Sequence, residues 1–266
     1  MKNELKKYDK TYQISRLMLT PLFKLAYHPL VLNKENIPSS GPVILCGNHL
    51  HVWDQVPVIC STNRTIHWMA KKEYFETKLA WMYKITGCIP VDRQGNASIS
   101  KNYAEEYLRA GEVVGLFPEG TRNQYQVAKN QLESLYQEYP YLHEKTQRQF
   151  DEKGTDNIEF LLEKEKELIE KIKLQKEMYQ KKNIQINEEE ELLQFHFGAV
   201  AMARNTGAKI VPFAVNGDYK INNKNLVVSF GEAYSLESND LELENNKLQN
   251  KISSLIKENK KIKRIR

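Results

Sequence analysis

The sequence predicts an α/β fold, a sheet covered by helices, on three observations. Short β-rich runs alternate with amphipathic helical runs, polar clusters recur where candidate strands end, and 266 residues with 41% hydrophobic and 27% charged content can bury a sizeable core. The same composition excludes a disordered chain, a collagen-like chain and a small disulfide scaffold.

The elements follow in order. Residues 1–30 form an N-terminal amphipathic helical segment. From Leu17 the run Leu-Met-Leu-Thr-Pro-Leu-Phe-Lys-Leu-Ala-Tyr puts apolar groups on most of a short helix, with Lys2, Lys6, Lys7, Lys10, Arg16 and Lys24 around it. Such a helix can lie in a membrane interface, its cations near anionic headgroups, or pack as an ordinary helix with a basic flank, and the interface is the expectation here. It does not span: no run of about 18 apolar residues exists, and the stretch 14–32 is broken by Arg16, Pro21, Lys24, His28 and Pro29. It also lacks the apolar core and cleavage site of a secretory signal.

Strands are expected at 42–46, 65–70, 88–91, 113–117, 209–215 and 226–231, and helices at 53–60, 77–86, 98–109 and 198–206. Residues 123–194 break this rhythm. Val127, Ala128, Leu132, Leu135, Tyr136 and Tyr139 fit one helical stripe that Pro140 stops. Ile158, Leu161, Leu162, Leu168, Ile169, Ile172, Met178 and Tyr179 fit a second, with interleaved Glu and Lys. The expectation is an inserted helical hairpin without strands, within a domain that otherwise runs from 31 to 250.

Charge divides along the same lines. The net charge is +5, but residues 1–30 carry six basic and two acidic groups, and the expected basic C-terminal tail, 251–266, carries seven and one. The insertion carries eleven basic and sixteen acidic groups, which also accounts for much of the low mean hydropathy of -0.62. Basic ends point to an anionic partner, and a tail without interleaved aromatics favours a phosphate-rich surface over specific nucleic-acid readout. Cys46, Cys60 and Cys88 are widely spaced among apolar residues and read as reduced core cysteines.

Chemistry is concentrated at three strand ends. After the strand at 42–46 comes Gly47-Asn48-His49-Leu50-His51-Val52-Trp53-Asp54. A histidine is suited to taking a hydroxyl proton near neutral pH and needs a partner that holds its tautomer. Five residues apart, His49 and Asp54 diverge on a regular helix. With His49 on the loop and Asp54 in the first helical turn, the carboxylate reaches back to the ring. After the strand at 113–117 comes Pro118-Glu119-Gly120-Thr121-Arg122, which brings an arginine fork, a hydroxyl and a flexible backbone together for a phosphate or other oxyanion. Asp92 and Arg93 follow the strand at 88–91. Ligands of open α/β sheets bind at the carboxyl ends of strands. No Gly-x-Ser-x-Gly elbow, cysteine–histidine neighbour or metal-ligand spacing is present, so the expectation is direct base-assisted attack with no metal or cofactor.

Together these residues resemble the glycerolipid acyltransferase family, in particular the 1-acyl-sn-glycerol-3-phosphate (lysophosphatidate) acyltransferases. The family's His-x4-Asp block matches His49 through Asp54, its second block residues 87–93, its third Phe117-Pro118-Glu119-Gly120-Thr121-Arg122 without change, and its fourth Ile210-Val211-Pro212-Phe213-Ala214-Val215. Glu35-Asn36-Ile37-Pro38, Ala70-Lys71-Lys72-Glu73 and Phe195-His196-Phe197-Gly198-Ala199 add smaller matches, so the resemblance covers about residues 31–122 and 195–232.

The resemblance implies a mixed sheet flanked by helices. It implies His49 as general base and Asp54 as the carboxylate that orients it, with Arg93, Glu119, Gly120, Thr121, Arg122 and Lys71 as acceptor-binding residues. The implied reaction moves a fatty acyl group from acyl-CoA or acyl-carrier protein to lysophosphatidic acid, giving phosphatidic acid, at the cytoplasmic face of an anionic membrane to which the protein binds peripherally. Alternatives are another lysophospholipid or glycerol 3-phosphate as acceptor, or a non-catalytic membrane or nucleic-acid binding protein on the same fold. The sequence departs from the family at His51, where a small hydroxyl residue is frequent, at His196, where lysine is usual, and in the insertion. The insertion begins one residue after Arg122, so it is expected to cover the acceptor entrance or to dock an acyl carrier.

Overall fold

The computed structural model describes residues 2–92, 97–140, 142 and 158–262. In chain order the elements are α1 (Lys2–Tyr27), β1 (Leu30–Leu32), β2 (Val43–Gly47), α2 (Gln55–Ile59), β3 (Ile66–Lys71), α3 (Ala80–Ile85), β4 (Ile89–Val91), α4 (Ala97–Arg109) and β5 (Val113–Leu116). They continue with α5 (Gln124–Glu138), α6 (Ile158–Lys181), β6 (Ile186–Asn187), β7 (Leu192–Leu193), α7 (Gly198–Thr206), β8 (Lys209–Asn216), β9 (Val227–Phe230) and α8 (Leu241–Lys261). The chain divides into a sheet unit, residues 1–121 and 195–266, and a helical unit, residues 122–194.

The sheet unit is built on a mixed sheet in the order β1-β9-β8-β2-β5-β3-β4. β2 pairs in parallel with both β5 and β8, and β3 with both β5 and β4, so the carboxyl ends of five strands share one edge. β9 runs antiparallel to β8 and carries β1 beside it. At the centre, Val43, Ile44, Leu45 and Cys46 are all fully buried, as expected of a continuous apolar run covered on both faces.

Pro212 lies inside β8, where a proline removes a ladder donor. The β8–β9 ladder is interrupted there: Phe213 pairs with Phe230 and Ile210 bridges to Tyr234, leaving three residues opposite two. This bulge accommodates the missing N–H, while Gly231 still donates to the Pro212 carbonyl (2.8 Å).

Two expectations change in the sheet unit. The N-terminal segment is one 26-residue helix rather than a short helix from Leu17. One of its faces belongs to the fold: Tyr12, Phe23 and Tyr27 are buried in the main core, and Thr11 donates to the Ile85 carbonyl at the end of α3. The other face keeps Leu17, Met18, Leu22 and Leu25 about 70% exposed. No helix among the described residues is long and apolar enough to cross a membrane. At the other end, residues 251–261, read as part of a basic tail, form the second half of α8. Leu248, Ile252 and Ile256 are buried on one face, so lysines and apolar residues alternate at helical spacing rather than forming a solvated tail. Asp240 caps this helix by accepting from the N–H groups of Glu242 and Leu243.

The helical unit contains α5 and α6, packed through Leu135, Leu142, Leu161 and Leu168 with Leu132, Tyr136 and Tyr139. Asn123 caps α5 by accepting from the Gln126 N–H. The expected absence of strands does not hold: β6 and β7 form a small antiparallel pair, Ile186 opposite Leu193. Their side chains join a second cluster with Tyr125, Tyr179, Ile172 and Met178. Two-residue strands carry too little period-2 signal to be seen in the sequence.

Candidate active site

The site is assembled at the carboxyl ends of β2, β5 and β8. β2 ends at Gly47, where an added Cβ would fall 2.2 Å from the Phe213 ring of β8, so only glycine lets the strands close there. Asn48 then extends the β2–β8 contact. Its amide donates to the Val215 carbonyl (2.9 Å) and its oxygen accepts from the Val215 N–H (2.8 Å). This clamp fixes where the chain leaves the sheet and hence where His49 begins.

The imidazole of His49 stacks on Phe117, centroids 4.0 Å apart and planes 8° from parallel. Its Nδ1 lies 3.1 Å from Asp54 Oδ2. Asp54 stands immediately before α2 and does not cap it forward; its Oδ2 instead reaches back to accept from the N–H groups of Leu50 and His51, both at 2.7 Å. The His49 side chain is 19% exposed and that of Asp54 2%. An Nδ1–H donated to this carboxylate leaves Nε2 as the acceptor nitrogen of the ring.

The loop after β5 brings its own carboxylate. Glu119 is buried and its Oε1 accepts the backbone N–H of His49 (2.8 Å), so it orients the histidine's main chain rather than meeting an anion through that oxygen. Gly120 turns at φ +66°, and the His196 ring lies where its Cβ would be, 2.7 Å away. Thr121 closes this loop, half-buried.

The other expected residues are placed as follows. Lys71 ends β3 and pairs with Glu73 (2.7 Å). Arg122 opens the helical unit, where its carbonyl accepts from the Tyr179 hydroxyl (2.8 Å). Arg93 lies outside the described residues. Sequence reasoning missed Tyr219, whose hydroxyl donates to Asp54 Oδ1 (2.9 Å) from the loop after β8. The available signal was its position, three residues beyond a strand end. Burial, and then the Asp54 charge beside it, push the Tyr219 hydroxyl well above the ordinary tyrosine range.

A family model described as Acyltransferase matches residues 28–216, more than half of the chain and the whole of this site up to β8. The chain belongs to the acyltransferase family. Two curated relatives of this acyltransferase-family chain are each named 1-acyl-sn-glycerol-3-phosphate acyltransferase. One, from Bacillus subtilis (strain 168), is 35% identical over 94 residues, which cover 35% of this chain and 47% of that protein. The other, from Borreliella burgdorferi, is 32% identical over 97 residues, covering 35% and 39%. The matched stretch thus spans less than half the length of either relative. A solved structure, the 1-acyl-sn-glycerophosphate acyltransferase PlsC from Thermotoga maritima, shares the fold with a TM-score of 0.55 at 16% identity, over 98% of this chain and 81% of that one.

Proposed function

We propose that this chain transfers a fatty acyl group from an acyl thioester, acyl-CoA or acyl-carrier protein, to the free hydroxyl of 1-acyl-glycerol 3-phosphate, giving phosphatidic acid. The observation that carries the reading is the pairing of His49 with the buried Asp54 beside the loop after β5. His49 Nε2 takes the hydroxyl proton as the oxygen attacks the thioester carbonyl. The tetrahedral intermediate then expels the thiolate, and the imidazolium returns the proton to sulfur, so no group remains on the enzyme. Asp54 stabilises the imidazolium and keeps Nε2 facing the acceptor. Thr121, with Arg93 and Arg122, holds the acceptor's phosphate, and Lys71 adds positive charge at the same strand edge.

The exposed face of α1 supports peripheral binding at the cytoplasmic side of an anionic membrane. Leu17, Met18, Leu22 and Leu25 enter the acyl boundary, and Lys10 and Lys24 meet headgroups. A lysolipid acceptor then reaches His49 without being extracted into water.

The deciding assay offers matched acyl-CoA and acyl-carrier donors with a lysolipid panel and glycerol 3-phosphate, in the presence of anionic or neutral vesicles. Turnover with lysophosphatidate, lost in His49→Ala, is expected. Preference for another acceptor reassigns the substrate, equal turnover by His49→Ala sinks the mechanism, and no turnover with any pair leaves a binding protein on this fold. Replacing 123–194 with a brief loop tests the role expected of the insertion, entrance cover or carrier docking, which unchanged kinetics with every donor would reject.

A further inference from the structure

Asp54 is held from two sides, and the second comes from 165 residues away. Its Oδ2 serves its own loop, accepting from Leu50 N, His51 N and the His49 ring. Its Oδ1 accepts from Tyr219 alone among the described residues. With the side chain 2% exposed, removing that donor leaves a buried carboxylate oxygen without a hydrogen bond.

Tyr219 is itself immobilised. β8 ends at Asn216, and the next residue, Gly217, turns at φ +100°, where a Cβ would stand 2.3 Å from the Asn225 carbonyl oxygen. Asp218 accepts the Asn223 amide on both carboxylate oxygens (2.9 Å each), and the Asn222 N–H donates to the Ala26 carbonyl in the last turn of α1 (2.8 Å). The phenol ring stacks on His51 at 4.4 Å and sits 5.9 Å from Tyr27, 6.2 Å from Trp53 and 6.4 Å from Phe23. The loop is therefore clipped to α1, and α1 supplies two walls of the tyrosine's socket. A hydroxyl whose ionisation is pushed far up remains a donor at every working pH.

We propose that Tyr219 is a positioning residue for acyl transfer: its hydroxyl fixes the Asp54 carboxylate, and thereby the tautomer and orientation of His49, while its ring ties that pair to the end of α1. The kinetic consequence rests on the acyl-transfer reading above; the placement of the histidine does not.

Tyr219→Phe keeps the ring and removes the hydroxyl. Its kcat is expected to fall about tenfold, with KM for donor and acceptor within about twofold, because the lost hydrogen bond to a charged group acts on the base and not on binding. In an Asp54→Asn background the same substitution is expected to cost less than about twofold, since the residue it acts through is already lost. In the substrate-free protein, below each variant's melting temperature, the His49 Nδ1 proton resonance, identified by its loss in His49→Ala, is expected to move. An unmoved resonance with wild-type kcat, even beside a lower melting temperature, reduces Tyr219 to a packing residue and overturns the proposal. A tenfold loss that persists in the Asp54→Asn background overturns it too. If the wild-type protein turns over no substrate pair, the acyl-transfer reading fails, and the resonance alone decides for or against Tyr219.

Discussion

Two histidines of the sheet unit show how position decides what an imidazole does. His49 leaves β2 at its carboxyl end, stacks on Phe117, and faces a buried carboxylate with its side chain 19% exposed. His67 lies within β3, stacks on Tyr107 at 3.9 Å, and donates from Nδ1 to the Gly87 carbonyl (2.8 Å) with 1% of its surface exposed. Both rings are stacked and both have Nδ1 occupied. The difference is the partner: a carboxylate for His49, a neutral carbonyl for His67. Burial without a paired charge pushes His67 down to about 4, outweighing the hydrogen bond to Gly87 and the pull of Asp9 from α1. A buried neutral ring of that kind serves packing, whereas a carboxylate-held ring at a strand end has the surroundings that the proposed proton transfer needs.

The largest expected effect separates the two by function. His49→Ala should lower acyl transfer about a thousandfold while leaving the melting temperature within a few degrees. A comparable loss of stability would erase the distinction. Next in size is the acid response of His67. The unfolded chain binds this proton near pH 6.5 and the folded chain only near pH 4. Stability should therefore fall by about 3 kcal/mol as pH drops through that window, with the full contribution present above pH 6.5. Denaturant titrations from pH 7 to pH 4 should show this slope flattened in His67→Asn, whose acyl transfer stays near wild type. Identical slopes would mean that other groups govern acid unfolding.

The two aromatic supports should part in the same way, with smaller effects. Phe117→Leu should lower kcat about threefold, and Tyr107→Leu should instead cost about 1 kcal/mol of stability with kcat unchanged. The smallest effect belongs to the helical unit. There, Glu188 accepts from Lys176 at 2.8 Å on the surface, and Glu188→Gln should cost less than about 0.5 kcal/mol. A larger change in that unit's melting would show that its exposed ion pairs carry stability that its two small apolar clusters do not.

Much of this was legible in the chain. The strands at 43–47, 66–71, 89–91 and 113–116 lie within a residue or so of the expected runs, because continuous Val, Ile and Leu between turn residues signal buried strands. The reach of Asp54 back to His49 was legible because one short loop joins the strand ending at Gly47 to the helix starting at Gln55. Three features were not. The 21 residues of α8 looked like part of a domain end and a basic tail, since their lysines conceal the buried stripe of Leu248, Ile252 and Ile256. The pairing of Lys71 with Glu73 at the end of β3 carries no signal in the run Ala70-Lys71-Lys72-Glu73. Tyr219 lies beyond the family blocks and carries no local motif.

The sequence by itself determined what short-range physics controls: which runs form strands and helices, that a histidine and an aspartate share one strand-end loop, and that α1 is amphipathic. Only the tertiary structure decided which groups meet across the chain. The parallel register of β2 with β5 and β8 sets the Glu119 carboxylate on the backbone of His49 and brings the Tyr219 loop to the same edge. Packing of Tyr12, Phe23 and Tyr27 into the core gives α1 one buried face and leaves Leu17, Met18, Leu22 and Leu25 exposed on the other. These pairings depend on strand order and long-range packing, which residue periodicity does not encode.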